Sequence, residues 1–359
     1  MKSSRWVLLF LFVLVACRPA ALPTGALPSD VSVDAPTGPL RDLADRCGFK
    51  IGAAVSLAPL RDEPLYGEVL AREFNFVTTE NALKFEPVHP RPDQYAFQEA
   101  DAIVEFAQAH DMRVRGHTLI WHNQLPLWLQ DGQWTRDELL RVMREHVATV
   151  VGRYRGRICV WDVVNEAVAD GGRTLRPTVW QEVIGADYLD LAFRWAHEAD
   201  PDALLFYNDY NAEGMDRKSD MVYELLKGML ARGVPVHGVG LQMHITLNMP
   251  PRWSAVQENI ARLNALGLEV HITELDVRIH GKPTGARLLE QAQIYRDLLS
   301  VCLDAEKCTA VTMWGFTDRH SWVPDFFVGS GAALPFDEAY RPKPAYGALV
   351  EGLAQAEVR

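Results

Sequence analysis

Eight short runs of β-branched and apolar residues recur along the chain, at 49–55 (FKIGAAV), 74–80 (FNFVTTE), 113–121 (RVRGHTLIW), 157–166 (RICVWDVVNE), 203–209 (ALLFYND), 238–244 (GVGLQMH), 269–276 (EVHITELD) and 309–316 (TAVTMWGF). Runs of this kind suit strands covered on both faces. The stretches between them carry helical periodicity. Leu140, Met143, Val147, Val150, Val151 and Tyr154 fall on one helix face behind a capping box of Thr135 and Glu138. Ser254 and Gln257 read as a second box ahead of Ile260 and Leu263, and Met221, Val222, Leu225, Leu226 and Met229 form a third apolar face. Strand and helix alternating eight times predict an α/β chain folded as one (β/α)8 TIM barrel over residues 41–355. A doubly wound open sheet is the competing arrangement, but no GxGxxG or Walker loop follows an early strand.

The N-terminal end departs from this pattern. Lys2 and Arg5 precede an apolar stretch from Trp6 to Ala16, too short to span a bilayer, so residues 1–16 read as a signal peptide. The stretch runs into Leu14-Val15-Ala16-Cys17, which resembles the lipobox of bacterial lipoproteins and implies cleavage before Cys17 and its acylation. Residues 17–40, rich in Pro, Ala, Gly, Ser and Thr, read as a flexible tether. The expectation is an exported protein, lipid-anchored to the cell envelope, with its folded domain outside the cytoplasm. Export makes a disulfide between Cys302 and Cys308 plausible, while Cys47 and Cys159 precede non-neighbouring strands and are expected as thiols. No CxxC, HExxH or histidine cluster at ligand spacing asks for a metal, and nothing asks for a cofactor. At 359 residues and a formal charge of −11, nucleic acid is an unsuitable partner, whereas a neutral polysaccharide is compatible. Ten tryptophans fit sugar binding, although Trp161, Trp180 and Trp195 read as core.

Polar residues gather where the runs end: Glu80, Asn81 and Lys84 after the second, and His117, Trp121 and His122 in or after the third. Asn165 and Glu166 end the fourth run, Asn208, Asp209 and Tyr210 the fifth, Gln242 and His244 the sixth, and Glu274 and Asp276 the seventh; Trp314 and Trp322 follow the eighth. Chemistry in such barrels sits at the carboxyl ends of the strands. Two glutamates delivered there from different strands, Glu166 and Glu274, are the pair that glycoside hydrolysis needs. Period-two alternation groups Val270, Ile272, Glu274 and Asp276 on one face and turns His271 toward the helices, as a satisfied core histidine.

TTENALKFEP, RGHTLIWHNQLPLWL, WDVVNEAV, FYNDYN, GVGLQMHI, VHITELDV and MWGFTDRHSW together resemble glycoside hydrolase family 10, the retaining endo-β-1,4-xylanases, across residues ~45–352 in register. The resemblance implies that Glu166 is the acid/base and Glu274 the nucleophile, with His244 and Asp276 orienting and charging the latter. It implies that Asn165 and Gln242 contact the 2-hydroxyl region and the nucleophile. His117, Trp121, Trp314 and Trp322 would shape the subsite of the reacting xylose. Glu80, Asn81 and Lys84 would bind the next sugar on the non-reducing side, and Tyr210 would lie toward the leaving group. The expected partners are xylan and xylo-oligosaccharides, handled by a monomer. A cellulase or mixed-linkage β-glucanase on the same barrel is the alternative, followed by an inactive xylan-binding lipoprotein. Phe85 departs from the family's usual Trp, keeping an aromatic without the indole N–H.

Overall fold

A computed structural model describes residues 38–356 of the chain. Eight strands form the barrel: β1 Lys50–Val55, β2 Phe76–Thr79, β3 Arg113–Ile120, β4 Val160–Asn165, β5 Leu204–Asp209, β6 Gly238–Leu241, β7 Glu269–His280 and β8 Cys308–Met313. All neighbours pair in parallel and in sequence order. Lys50 lies opposite Ala310, so β1 meets β8 and the sheet closes. Closure excludes the open doubly wound sheet. Every strand is followed by at least one helix, among them Gln98–Ala109, Arg136–Arg153, Arg217–Ala231 and Gly285–Leu303.

The helix starts follow local chemistry in part. Thr135 and Glu138 form the expected capping box, each satisfying the other's backbone N–H. The box expected at Ser254 does not form. That helix opens two residues earlier than a Ser254 cap would require, at Trp253, so Ser254 is already helical and Arg252 occupies the N-cap without a side-chain bond. A box that the sequence reading missed caps Arg217–Ala231, where Asp216 Oδ1 accepts from the Ser219 N–H at 3.0 Å. The folded domain also begins before residue 41. Leu40 is buried, opens the helix Leu40–Arg46, and donates its N–H to Glu73 Oε2 at 3.1 Å. The signal peptide, the Cys17 lipidation site and the tether up to residue 37 lie outside the described residues.

Most of the apolar core lies between strands and helices, with a small separate cluster of Phe76, Val160 and Phe206 inside the barrel. Gly238 leaves room for that inner cluster, since a Cβ there would stand 2.3 Å from Phe206 Cζ. Above it the lumen is polar. Arg115 pairs with Asp162, and Asp162 Oδ2 also accepts from His117 Nδ1 at 2.9 Å. Leaving one partner of such a buried pair alone typically costs about 3–5 kcal/mol. Trp161 and Trp180 are core residues as expected, whereas Trp195 is only half buried. Phe85 keeps its aromatic role, stacking on His146 at 3.8 Å. Cys302 and Cys308 place their sulfurs 1.96 Å apart, and Cys47 and Cys159 are not disulfide-bonded.

One expectation about β7 is overturned. Its register against β8 shifts between Ile272 and Leu275, a β-bulge. Val270, Ile272 and Leu275 all lie in the outer core, so both residues between the last two, Thr273 and Glu274, turn into the lumen. Strict alternation fails there, and Glu274 does not share a face with Val270 and Ile272. His271 faces the lumen instead of the helices. Its Nδ1 accepts from Arg115 Nη1 and its Nε2 meets Thr309 Oγ1, each at 2.9 Å, while the ring packs 4.4 Å from Phe206. Burial first, with the charges of Arg115 and Lys50 assisting, pushes its pKa down to about 4, so it sits there neutral.

Candidate active site

A cleft of about 610 Å³ opens at the carboxyl ends of the strands, lined by Lys84, His117, Trp121, Asn165, Glu166, Tyr210, Gln242, His244, Glu274, Trp314 and Trp322, among others. Most of the strand-end residues named from sequence therefore converge on one site. Glu166 and Glu274 are both buried, at 8% and 5% exposure, so protein groups rather than bulk water surround each carboxylate. Their hydrogen-bond partners differ, and that difference gives the site its polarity.

Glu274 is held as an anion. His244 Nε2 donates to its Oε2 at 3.1 Å and Asn208 Nδ2 to its Oε1 at 2.7 Å. Burial alone would raise its pKa, but the bond from His244, the electrostatic pull of His117 and His244, and the Asn208 amide outweigh burial and hold it below the ordinary carboxylate value. His244 donates its other ring N–H to Asp276 Oδ2 at 2.7 Å. Burial opposes the imidazolium, yet the Asp276 charge and hydrogen bond, followed by those of Glu274, raise its pKa to about 10. The same Asp276 oxygen accepts from Trp322 Nε1 at 2.9 Å. The cation between two carboxylates is thus fixed in position as well as in charge.

Glu166 is surrounded differently. Trp121 Nε1 donates to its Oε2 at 2.8 Å, while Gln242 Nε2 and Asn165 Nδ2 donate to Oε1 at 3.0 and 3.1 Å. Among the described residues no cation is hydrogen-bonded to its carboxylate; the His122 ring lies 3.9 Å away, and burial pushes its pKa down to about 4, leaving it neutral. Glu166 follows β4 with φ of 56°, a left-handed conformation that a non-glycine residue keeps only where its surroundings enforce it. Here its N–H donates to Asn208 O at 2.8 Å, and Arg176 Nε donates to its carbonyl at 3.1 Å. Arg176 also bonds Asp170 and the Tyr210 hydroxyl, tying the loop after β4 to the end of β5.

Two assignments change. The side chains of Asn165 and Gln242 bond Glu166; Gln242 also touches Glu274, but through its backbone carbonyl, which accepts the Glu274 N–H at 2.9 Å, and the side-chain amide on the Glu274 carboxylate is that of Asn208. Asn208 was recognised from sequence only as a polar strand end, yet it also donates to Asn165 Oδ1 at 2.9 Å and so links the surroundings of both glutamates. Gly240 makes room for it, since a Cβ there would stand 2.1 Å from Asn208 Oδ1. Of Glu80, Asn81 and Lys84, Lys84 lines the cleft; its Nζ donates to Asn81 Oδ1 at 2.9 Å and sits 5.0 Å from the Trp121 ring centre. Glu80 accepts from Ser56 Oγ at 2.5 Å. Arg176, Glu213 and Arg278 carried no motif and emerge only from the fold, while Phe326 and Phe327 open the FFVGSG stretch of the family resemblance without having been given a role.

The sequence model described as Glycosyl hydrolase family 10 matches residues 39–352. Endo-1,4-beta-xylanase B of Thermotoga neapolitana is 46% identical over 316 residues, covering 87% of this chain and 91% of that one. Endo-1,4-beta-xylanase B of Paenibacillus barcinonensis is 40% identical over 319 residues, covering 84% and 95%. Among solved structures, xylanase 10B from Thermotoga petrophila RKU-1 in complex with xylobiose superposes with a TM-score of 0.87 at 46% identity, covering 90% of this chain and 99% of that one.

Because the folded pKa of His244, about 10, lies above its ordinary 6.5, its charged form contributes stability fully below pH 6.5 and loses that contribution as pH rises toward 10. The stability advantage of the wild type over His244→Gln should therefore shrink across that window. Denaturant midpoints of both proteins at about pH 6 and about pH 10 measure it, and a gap independent of pH would contradict the assignment.

Proposed function

This chain belongs to glycosyl hydrolase family 10, and from that membership we propose that it is an endo-β-1,4-xylanase cleaving internal xylosidic bonds with retention of configuration. The observation carrying the proposal is the unequal treatment of two carboxylates in one cleft: Glu274 held ionised by His244 and Asn208, Glu166 bonded only to neutral donors. In the first step Glu166 gives its proton to the glycosidic oxygen as the C1–O bond breaks and a Glu274 oxygen bonds to C1. The leaving sugar departs with that proton, and Glu274 becomes a neutral ester. With this negative charge gone, the deprotonated Glu166 no longer faces a second carboxylate in the cleft. It then takes a proton from water, the resulting hydroxide attacks C1, and Glu274 leaves as a carboxylate. Asn208 and His244 hold the nucleophile through both steps, and Trp121, Gln242 and Asn165 aim the acid.

Specificity follows from the walls. Trp314 and Trp322 border the reacting position, and xylose lacks the hydroxymethyl group that would meet bulky rings there. This supports xylan over a glucan. Glu166→Ala should depress hydrolysis of xylan, whose sugar leaving group needs protonation, far more than that of an aryl xylobioside with an acidic phenol. A general acid contributes about 10²–10⁴-fold, which is the differential expected in kcat/KM. Equal losses on both substrates would remove Glu166 from the acid/base role.

The mature protein, on this proposal, is exported and lipid-anchored through Cys17. The support is the run Leu14-Val15-Ala16-Cys17 behind a basic and apolar leader, and an oxidised Cys302–Cys308 pair suits such a compartment. Cys17→Ser should move the enzyme from the membrane to the soluble exported fraction at unchanged specific activity. Wild-type protein found wholly soluble, with no lipid mass on its first residue, would refute the anchor.

A further inference from the structure

We propose that Arg278 equips the cleft to bind a carboxylate-bearing substituent, so that the favoured substrate is xylan decorated with a uronic acid. The proposal rests on the endoxylanase reading and adds a substrate class to it. Arg278 lies on β7 two residues beyond Asp276 and lines the same cleft as Glu166 and Glu274. Its guanidinium stands 3.9 Å from the centre of the Phe327 ring, which fixes its plane and strips water from one side. Its Nη1 is shut off from solvent and has no hydrogen-bond partner among the described residues.

Two other arginines near the strand ends and lumen of this barrel are paired with an anion. Arg115 has Asp162, and Arg176 has Asp170. Asp276 pulls on Arg278 electrostatically but no ion pair joins the two; its Oδ2 is engaged by His244 and Trp322, and its Oδ1, like Arg278 Nη1, has no hydrogen-bond partner among the described residues. A permanently charged, oriented and partly dehydrated donor therefore faces a sugar-binding cleft with its pairing capacity unspent. Hydroxyls of undecorated xylose would meet the hydrogen-bond need without using the charge. A carboxylate meets both, through the two-pronged geometry that guanidinium and carboxylate share. The neighbouring Phe326 adds an apolar ledge for the ring bearing that carboxylate: it is 69% exposed, 4.9 Å from Phe327 and 5.1 Å from Trp322. With the whole chain at −11, general attraction of polyanions is absent, so any preference for an acidic sugar must come from a local site.

The test compares kcat/KM of the full-length enzyme on xylo-oligosaccharides carrying a glucuronic acid branch with the same oligosaccharides after reduction of the carboxyl to an alcohol. Size and linkage are then constant and only the charge differs. Wild type should favour the acid about 10-fold, the scale of one charge-assisted hydrogen bond partly screened by solvent. Arg278→Gln should erase the preference, and Arg278→Lys should restore part of it. A wild type indifferent to reduction, or a preference surviving in Arg278→Gln, overturns the proposal. The wild-type comparison needs no variant to fold. Failure of the wild type to cleave unbranched xylohexaose would instead overturn the endoxylanase reading itself.

Discussion

Keeping one buried carboxylate charged is the constraint around which this barrel is organised. Glu274 at 5% exposure faces a desolvation penalty of several kcal/mol. One cation at about 4 Å returns about 4 kcal/mol at an effective dielectric constant near 20, so a single neutral hydrogen bond would not suffice. His244 supplies the cation, but an imidazole ordinarily loses its proton near neutrality. Asp276 prevents that, at 2.7 Å behind it, and Trp322 fixes Asp276 in turn. The four residues form one unit: a carboxylate made reactive by a histidine that a second carboxylate keeps charged.

The barrel delivers that unit through local irregularities in its strands. A regular β7 would send Thr273 and Glu274 to opposite sides. The bulge between Ile272 and Leu275 sends both inward, where Thr273 Oγ1 donates to Asn208 Oδ1 at 2.7 Å and Asn208 in turn donates to Glu274. Across the lumen, the left-handed Glu166 reaches the cleft one residue after β4 has ended, held by Arg176 and the backbone of Asn208. Asn208 thus contacts Glu166 through its carbonyl and Glu274 through its amide. The separation of acid and nucleophile depends on a residue with no part in proton or sugar transfer.

The barrel itself was legible in the sequence, because strands covered on both faces need unbroken apolar runs and leave little freedom in how such runs close. The convergence of Glu166, Glu274, His244, Asp276, Gln242 and the tryptophans was legible for the same reason: strand ends in a closed parallel sheet share one rim. What failed was anything depending on phase. The bulge in β7 carries no residue signature, so alternation sent His271 toward the helices and grouped Val270 and Ile272 with the inward-facing Glu274. Ser254 resembled an N-cap because a polar residue beside an apolar helix face looks the same at the second position inside the helix. Asn208 received no role because its partners lie 43 and 66 residues away in sequence. Arg278 and Phe326 became visible only once β7 and the loop after β8 stood side by side.

The central claim is that Glu274, not Glu166, bonds covalently to the sugar while its neighbours hold it as an anion. A 2-deoxy-2-fluoro xylobioside with an activated leaving group slows the second step, so the ester accumulates and can be located by peptide mass spectrometry. The account predicts one fluorosugar per chain, on the peptide containing Glu274, and slow return of activity as water releases it. A label on Glu166, or full inactivation with no covalent mass, would contradict it.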